Sequence, residues 1–196
     1  MTYDSDYFNS VNYTDYLYRG DRYVKLANEV MGLVDNLELP KDRVLDFGCA
    51  VGHLLGGLKE HVPYLYGTDI SEWARDQATA KGLPVAATPY FDMEHDIVFS
   101  LDVFEHMALE ELQDFMENID TKAIVFRVPV TAVSGGDYVL EVSRRDPTHN
   151  IRWTKEEWRK FFVYFGFDCL NLNLHTIYNS DGVYSGIAIN YAKLHG

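Results

Sequence analysis

The chain has 196 residues, 47% hydrophobic and 14% aromatic, with 17 Lys and Arg against 30 Asp and Glu for a formal charge of −13. This much apolar content excludes a disordered or collagen-like chain, and the length suits one domain of roughly 100–200 residues. The acidity repels phosphate backbones and anionic lipid, and no basic run exceeds Arg144-Arg145, so neither nucleic acid nor a membrane is an expected partner. No stretch approaches the roughly 18 apolar residues of a span, the N-terminus has no apolar run, and Cys49 and Cys169 lie outside any CxxC spacing. Together these predict a cytoplasmic protein with free thiols.

A polar arm carrying Tyr13, Tyr16, Tyr18 and Arg19 comes first, and its aromatic residues suit a lid or surface packing equally. The Asn12-Tyr13-Thr14 glycosylation match is idle in a cytoplasmic chain. Val24, Ala27, Val30, Met31, Val34 and Leu37 then recur at helical spacing from Tyr23, and Pro40 bars extension. A strand from Arg43 runs into a Gly-containing turn at Gly48, followed by a helix over 52–60. The next strand covers 64–70, Ser71 caps a helix through about Lys81, and Gly82 stops it. Strands at 84–87 and 96–101, a helical stripe of Leu109, Leu112, Phe115, Met116 and Ile119, and a fifth strand at 123–128 continue the alternation. Such alternation predicts parallel β-α units in an open sheet.

Residues 129–152 are read as a long connection without secondary structure, of the kind that selects substrates. Thr154 and Glu157 form a capping box for a helix whose Trp158, Phe161, Phe162 and Phe165 read as core, ended by Gly166. Two last strands are expected. Over 168–174, Leu170, Leu172 and Leu174 alternate against Asn171 and Asn173, and 183–191 follows after a turn at 179–182, making a hairpin.

In an open parallel sheet, ligands bind beyond the carboxyl ends of the strands. The first strand ends in Asp46-Phe-Gly-Cys-Ala-Val-Gly52, where glycines allow close backbone approach, although a tight strand-to-helix turn alone explains them equally well. The second ends on Asp69, spaced to accept two ribose hydroxyls, with a helix-capping carboxylate as the plainer reading. The pair points to a nucleoside-bearing cofactor, and the missing GxGxxG weighs against a dinucleotide and a nicotinamide oxidoreductase.

Val44-Leu-Asp-Phe-Gly-Cys-Ala-Val-Gly52, Tyr66-Gly-Thr-Asp-Ile-Ser71 and Asp96-Ile-Val-Phe-Ser-Leu-Asp-Val-Phe-Glu-His106 resemble the motifs of class I S-adenosylmethionine-dependent methyltransferases. The Asp-Val-Phe-Glu-His ending is similar to the branch with quinone, sugar and natural-product enzymes, as is Thr148-His149 followed by Trp153-Thr154 and Glu157-Trp158. The resemblance spans about residues 43 to 191. It implies an α/β fold with a Rossmann-like, seven-stranded, mostly parallel sheet, an antiparallel C-terminal strand and helices on both faces. In domain terms it implies one methyltransferase domain, with 1–40 as arm and helix and 41–196 as a cofactor core whose substrate loop is 129–152. The implied cofactor is S-adenosyl-L-methionine and the implied partner a small-molecule acceptor. Gly48, Cys49, Ala50 and Gly52 would line its methionine and ribose end, Asp46 would orient the amino group, and Asp69 would take the ribose hydroxyls. Ile70 would pack on adenine, and the backbone near Leu101 would meet the methionine. Ala50 stands where the family usually has Gly, and its methyl group is tolerated if φ there is negative.

Catalytic candidates are His106 and His149, since an imidazole with a pKa of about 6.5 suits proton removal from a hydroxyl; a structural hydrogen bond is the alternative. Tyr16, Arg19 and Glu105 are candidate substrate contacts. Asp102, Glu105, His106 and His149 lack a short metal-ligand spacing such as HxxxH, so no metal is expected. The expected reaction is O-methylation of a sugar or secondary metabolite, with N- or C-methylation or a noncatalytic adenosylmethionine-binding module as alternatives.

Overall fold

The computed structural model describes residues 3–9, 15–177 and 180–195. Tyr13 and Asn179, and with them the glycosylation match and the start of the expected 179–182 turn, lie outside the described residues. Helix α1 is Ser5–Phe8, capped by Asp4, and a 3₁₀ turn, Tyr16–Tyr18, leads into α2, Gly20–Asn36. Of the expected stripe, Ala27, Val30, Met31 and Val34 are buried on α2 together with Leu26, whereas Val24 and Leu37 are exposed; Glu38 takes a left-handed φ of 53° before Pro40. Strand β1 is Arg43–Phe47, α3 is His53–Leu58, β2 is Tyr64–Thr68 and α4 is Glu72–Thr79. Ser71 caps α4 by accepting from the Ala74 amide at 3.1 Å, as its place before the helix predicts. Strand β3 is Val85–Ala86, β4 is His95–Leu101, a 3₁₀ turn covers Phe104–His106, α5 is Leu109–Asn118 and β5 is Thr121–Pro129. Helix α6 is Glu141–Arg144, α7 is Lys155–Tyr164, β6 is Asp168–Asn171, β7 is Val183–Ile189 and α8 is Tyr191–Leu194.

The strands form a seven-stranded sheet in the order β3-β2-β1-β4-β5-β7-β6. β1, β2 and β3 pair in parallel, whereas β7 runs antiparallel to both β5 and β6. This is a Rossmann-like α/β sheet with the expected antiparallel C-terminal strand. Two units divide the described residues: the first takes those up to Tyr90 with 95–97 and 174–177, and the second takes 91–94, 98–173 and 180–195.

In the first unit, α2 and α3 pack closely because Gly57 has no side chain. A Cβ there would lie 2.8 Å from Ala27 Cβ and 3.0 Å from the Tyr23 carbonyl oxygen. Asp96 accepts from the amides of Asp42 and Arg43 at 2.7 and 3.0 Å, which fixes where β1 starts.

In the second unit, the Thr154–Glu157 capping box opens α7 as expected. Trp158 and Phe162 are fully buried and Phe162 stacks on Phe126 at 4.5 Å, while Phe161 and Phe165 are only half-buried. Three sequence expectations need correction. β6 stops at Asn171, and it leaves Leu170 exposed and Cys169 half-buried, because it pairs on one side only and a sheet edge does not enforce alternation. β7 ends at Ile189, where Asn190 accepts from Lys193 N and starts α8. The 129–152 connection is not structureless: a Thr131–Tyr138 bridge and α6 lie within it. Both cysteines are free, and among the described residues no helix is long and apolar enough to cross a membrane.

The close approach of α2 and α3 gives a paired test. Gly57→Ala should destabilise by about 1–3 kcal/mol despite the higher helix propensity of Ala, because two of the crowded atoms are backbone. Gly56→Ala, which meets nothing within 4 Å, should be neutral or stabilising by up to about 1 kcal/mol. Denaturant midpoints of the two variants measure the contrast.

Candidate active site

Two clusters hold the predicted residues, one in each unit. In the first, β1 delivers Asp46 and Phe47 to a turn in which Gly48, Ala50 and Gly52 take φ values of 76°, 47° and 77°. Ala50 is therefore in the left-handed region, contrary to the expected negative φ. Its methyl group is held at a conformational cost of about 1–2 kcal/mol that glycine would avoid. The surroundings hold it there. The Ala50 amide donates to Asp69 Oδ2 at 2.8 Å, and the amides of Gly48 and Cys49 donate to the Thr68 carbonyl oxygen at 2.8 and 2.9 Å. Gly52 must be glycine for a second reason: a Cβ would lie 2.5 Å from Leu83 Cδ1.

Asp69, just past β2, is half-buried and doubly engaged. Its Oδ2 holds Ala50 and its Oδ1 accepts from the Ser71 amide at 2.8 Å. One carboxylate thereby ties the first turn to the start of α4, and each oxygen keeps a second lone pair for another donor. Ile70 beside it is 75% exposed, an apolar side chain with little covering it. Asp46 is buried, and its Oδ2 has no hydrogen-bond partner. Burial, and then the Asp69 charge, push the Asp46 carboxyl up to about 8. Burial likewise raises the Cys49 thiol, so it is not a nucleophile near neutrality.

The N-terminal arm covers this turn. Phe8, Tyr16, Val51 and Ala74 form one buried cluster, against which Tyr3, Tyr7, Trp73 and Ala50 pack. Tyr16 stacks on Phe8, and its carbonyl oxygen lies 3.0 Å from His53 Nε2. Burial and the neighbouring Tyr23, Asp46 and Asp69 raise the Tyr16 phenol well above its ordinary value. Arg19 is half-buried at the start of α2, and Tyr18 is exposed.

The second unit holds Leu101, half-buried at the end of β4, and beyond it Asp102, Glu105 and His106. Asp102 has a φ of 58°, and its carboxylate pairs with the Arg127 guanidinium. Glu105 is 1% exposed, and burial followed by the Asp102 charge holds its carboxyl well above the usual range. His149 is brought from the long connection to within a ring-centroid distance of 4.5 Å of His106. Backbone bonds anchor that approach: the amides of Asn150 and Ile151 donate to the Glu105 carbonyl oxygen at 2.7 and 3.1 Å. Burial lowers both imidazoles, His106 to about 4 with His149 adding to the shift. Near pH 7 both are neutral, so the expectation of an ordinary pKa near 6.5 is corrected, and as proton acceptors they are weak.

Sequence reasoning assigned no role to Asp146, Thr148 or Tyr138, quoting Thr148 only within the family resemblance. Thr148 Oγ1 lies 2.7 Å from His106 Nδ1 and donates to Asp146, and the Tyr138 ring meets His149 edge-on at 5.1 Å. The Asp-Pro-Thr-His run at 146–149 is the signal that could have found the first two.

A family model described as a methyltransferase domain matches residues 18–172. The chain belongs to this family. The enzyme is a methyltransferase that uses S-adenosylmethionine. None of the curated proteins compared with it matches. Among solved structures, magnesium protoporphyrin IX methyltransferase from Synechocystis PCC 6803 with bound cofactor is 21% identical, with a TM-score of 0.59 over 93% of this chain and 92% of that one. An S-adenosylmethionine-dependent methyltransferase from Clostridium acetobutylicum is 12% identical, with a TM-score of 0.64 over 85% and 91%. Another from Archaeoglobus fulgidus is 20% identical, with a TM-score of 0.60 over 83% and 94%. At these identities the likeness concerns the fold.

The raised Asp46 carboxyl has a consequence for the methyltransferase without ligand. Between an unfolded value near 3.8 and a folded value of about 8, the folded chain binds the extra proton, so this group's stabilisation is complete at low pH and is lost as pH rises to about 8. Denaturant unfolding from pH 5 to pH 8.5 should show that loss in the native protein, and Asp46→Asn should flatten it.

Proposed function

We propose that the turn at residues 46–52 and Asp69 hold S-adenosylmethionine, and that the methyl group passes to a hydroxyl of a small molecule, a sugar or secondary metabolite, in the cytoplasm. The observation that carries the cofactor assignment is the left-handed turn bonded to Asp69. Its backbone conformation lets a ligand approach Gly48, Cys49, Ala50 and Gly52 closely, and the remaining lone pairs of Asp69 suit two ribose hydroxyls. Asp46 Oδ2, buried without a partner, suits the cationic amino group of the methionine end, whose charge offsets the repulsion from Asp69. Ile70 offers an exposed apolar face for adenine. The arm then serves as a lid, with Tyr16 packed in one cluster with Val51 of the turn and Arg19 following it.

When bound, the cofactor supplies an activated methyl on a sulfonium, so the protein's main task is to position the acceptor. Glu105, His106 and His149 are the groups we assign to that task, with residues 129–152 setting acceptor choice. A neutral imidazole accepts a hydrogen bond from a hydroxyl and orients its oxygen lone pair. The acidic charge of −13 favours a small neutral acceptor over a polyanion.

Calorimetry with adenosylhomocysteine tests the cofactor half. Asp69→Ala should weaken binding at least about tenfold, since hydrogen bonds to a charged acceptor contribute about 1.5–3 kcal/mol each. Unchanged affinity would remove Asp69 from the site. For the acceptor half, methyl-labelled cofactor incubated with a small-metabolite extract should yield a labelled ether. Label found only on amines, on carbon, on RNA or on protein would overturn the hydroxyl assignment.

A further inference from the structure

The residues that orient His106 also settle which of its nitrogens carries the proton. Asp146 accepts from the Thr148 amide at 2.9 Å and from the Thr148 hydroxyl. With its own proton committed to that carboxylate, the Thr148 oxygen receives a hydrogen bond from His106 Nδ1 at 2.7 Å. His106 Nε2 is then the unprotonated nitrogen, and it lies 4.0 Å from Glu105 Oε1. His149 Nε2 lies 4.0 Å from the same oxygen. These separations are too long for hydrogen bonds, yet all three groups are enclosed: the side chains of His106, His149 and Glu105 are 12%, 9% and 1% exposed. Among the described residues, the second oxygen of Glu105 is buried with no hydrogen-bond partner, an arrangement that native proteins rarely leave unexplained.

We propose that Glu105, His106 and His149 form a binding site for a divalent first-row transition-metal ion. One ligand atom from each lies within 4.8 Å of the others. Bonds of about 2.0–2.2 Å to zinc place ligand atoms about 3.4 Å apart, which small side-chain rotations reach. The donor set, two imidazoles and one carboxylate, suits zinc, manganese or iron and leaves a coordination position open. The Thr148–Asp146 pair behind His106 is the outer arrangement that such ligands require, a hydrogen-bond acceptor that fixes the ring and its tautomer. Tyr138 packs its ring against His149, while its hydroxyl donates to the Ile151 carbonyl oxygen at 2.6 Å. The anchored 149–151 segment therefore brings the third ligand without needing a nearby sequence spacing.

The use of this ion in catalysis rests on the hydroxyl acceptor proposed above, whereas its binding does not. At the open position it would bind the acceptor oxygen and lower the pKa of its hydroxyl. The oxygen–methyl bond would then form as the sulfur–methyl bond breaks, the electron pair staying on sulfur and the hydroxyl proton leaving to water.

The test needs neither donor nor acceptor. Zinc and cobalt are titrated separately into chelator-treated full-length protein, with cobalt followed by its visible absorption. One equivalent should bind saturably, with cobalt bands of nitrogen and oxygen coordination and no thiolate charge-transfer band. His149→Ala should abolish binding or weaken it by about 100-fold or more. Thr148→Val, which leaves every ligand in place, should weaken it by about 10–100-fold. His61→Ala, at a histidine bonded to Asn28 elsewhere, should change nothing. Circular dichroism of each variant reports folding. Absence of one-equivalent binding in the native protein, or equal affinity in His149→Ala and Thr148→Val, would overturn the site.

Discussion

The carboxylate of Asp69 holds the first unit's turn in its left-handed shape. It accepts from Ala50 on one side and from Ser71 on the other, so the left-handed backbone at residue 50 and the first turn of α4 are fixed by a single charged group. Without that acceptor, Ala50 would lose its reason to stay at a φ of 47°. The same carboxylate raises the cost of ionising Asp46, whose Oδ2 already lacks a hydrogen-bond partner among the described residues. A compact pair of acids beneath a cradle of backbone amides is unfavourable by itself and becomes favourable around a ligand that carries hydroxyls and a cationic amine. Strain of this kind collects at functional sites because the surrounding structure holds it in place.

Much of this architecture is legible in residues whose physics is local. Ser71 and Thr154 cap helices because their hydroxyls reach amides three residues on, and Gly82 and Gly166 end helices at positive φ. The alternation of strands and helices follows from apolar periodicity, and the sheet it builds is seven-stranded with the expected antiparallel C-terminal strand. What the sequence misread depends on tertiary context. Leu170 alternates with asparagine as a half-buried strand should, but at the sheet edge no partner strand enforces that burial. The sign of φ at Ala50 is set by Asp69, nineteen residues away. The ordinary histidine pKa assumed for His106 ignores that the 149–151 segment folds down onto the Glu105 backbone and removes the ring from water.

The second cluster shows why spacing rules alone overlook sites of this kind. Glu105 and His106 are adjacent in sequence, and His149 arrives 43 residues later, so no HxxxH pattern exists to be found. What unites them is a connection that looks structureless by composition yet is tied down by two amides on one carbonyl and by a buried tyrosine. A methyltransferase needs little chemical machinery beyond positioning, because its cofactor arrives activated. Under the proposed function, that positioning falls to this rigid cluster of lone pairs.

Where the acids under the turn receive a cationic amino group, as proposed, protons move on binding, and their number is the most direct test. Titrating adenosylhomocysteine into the protein at pH 7 in two buffers of different ionisation enthalpy measures that exchange. With Asp46 at about 8 in the free protein, binding of the amino group should expel a large fraction of one proton, and Asp46→Asn should bind with no comparable release. Binding without proton release in the native protein, or equal release in the variant, would contradict the account.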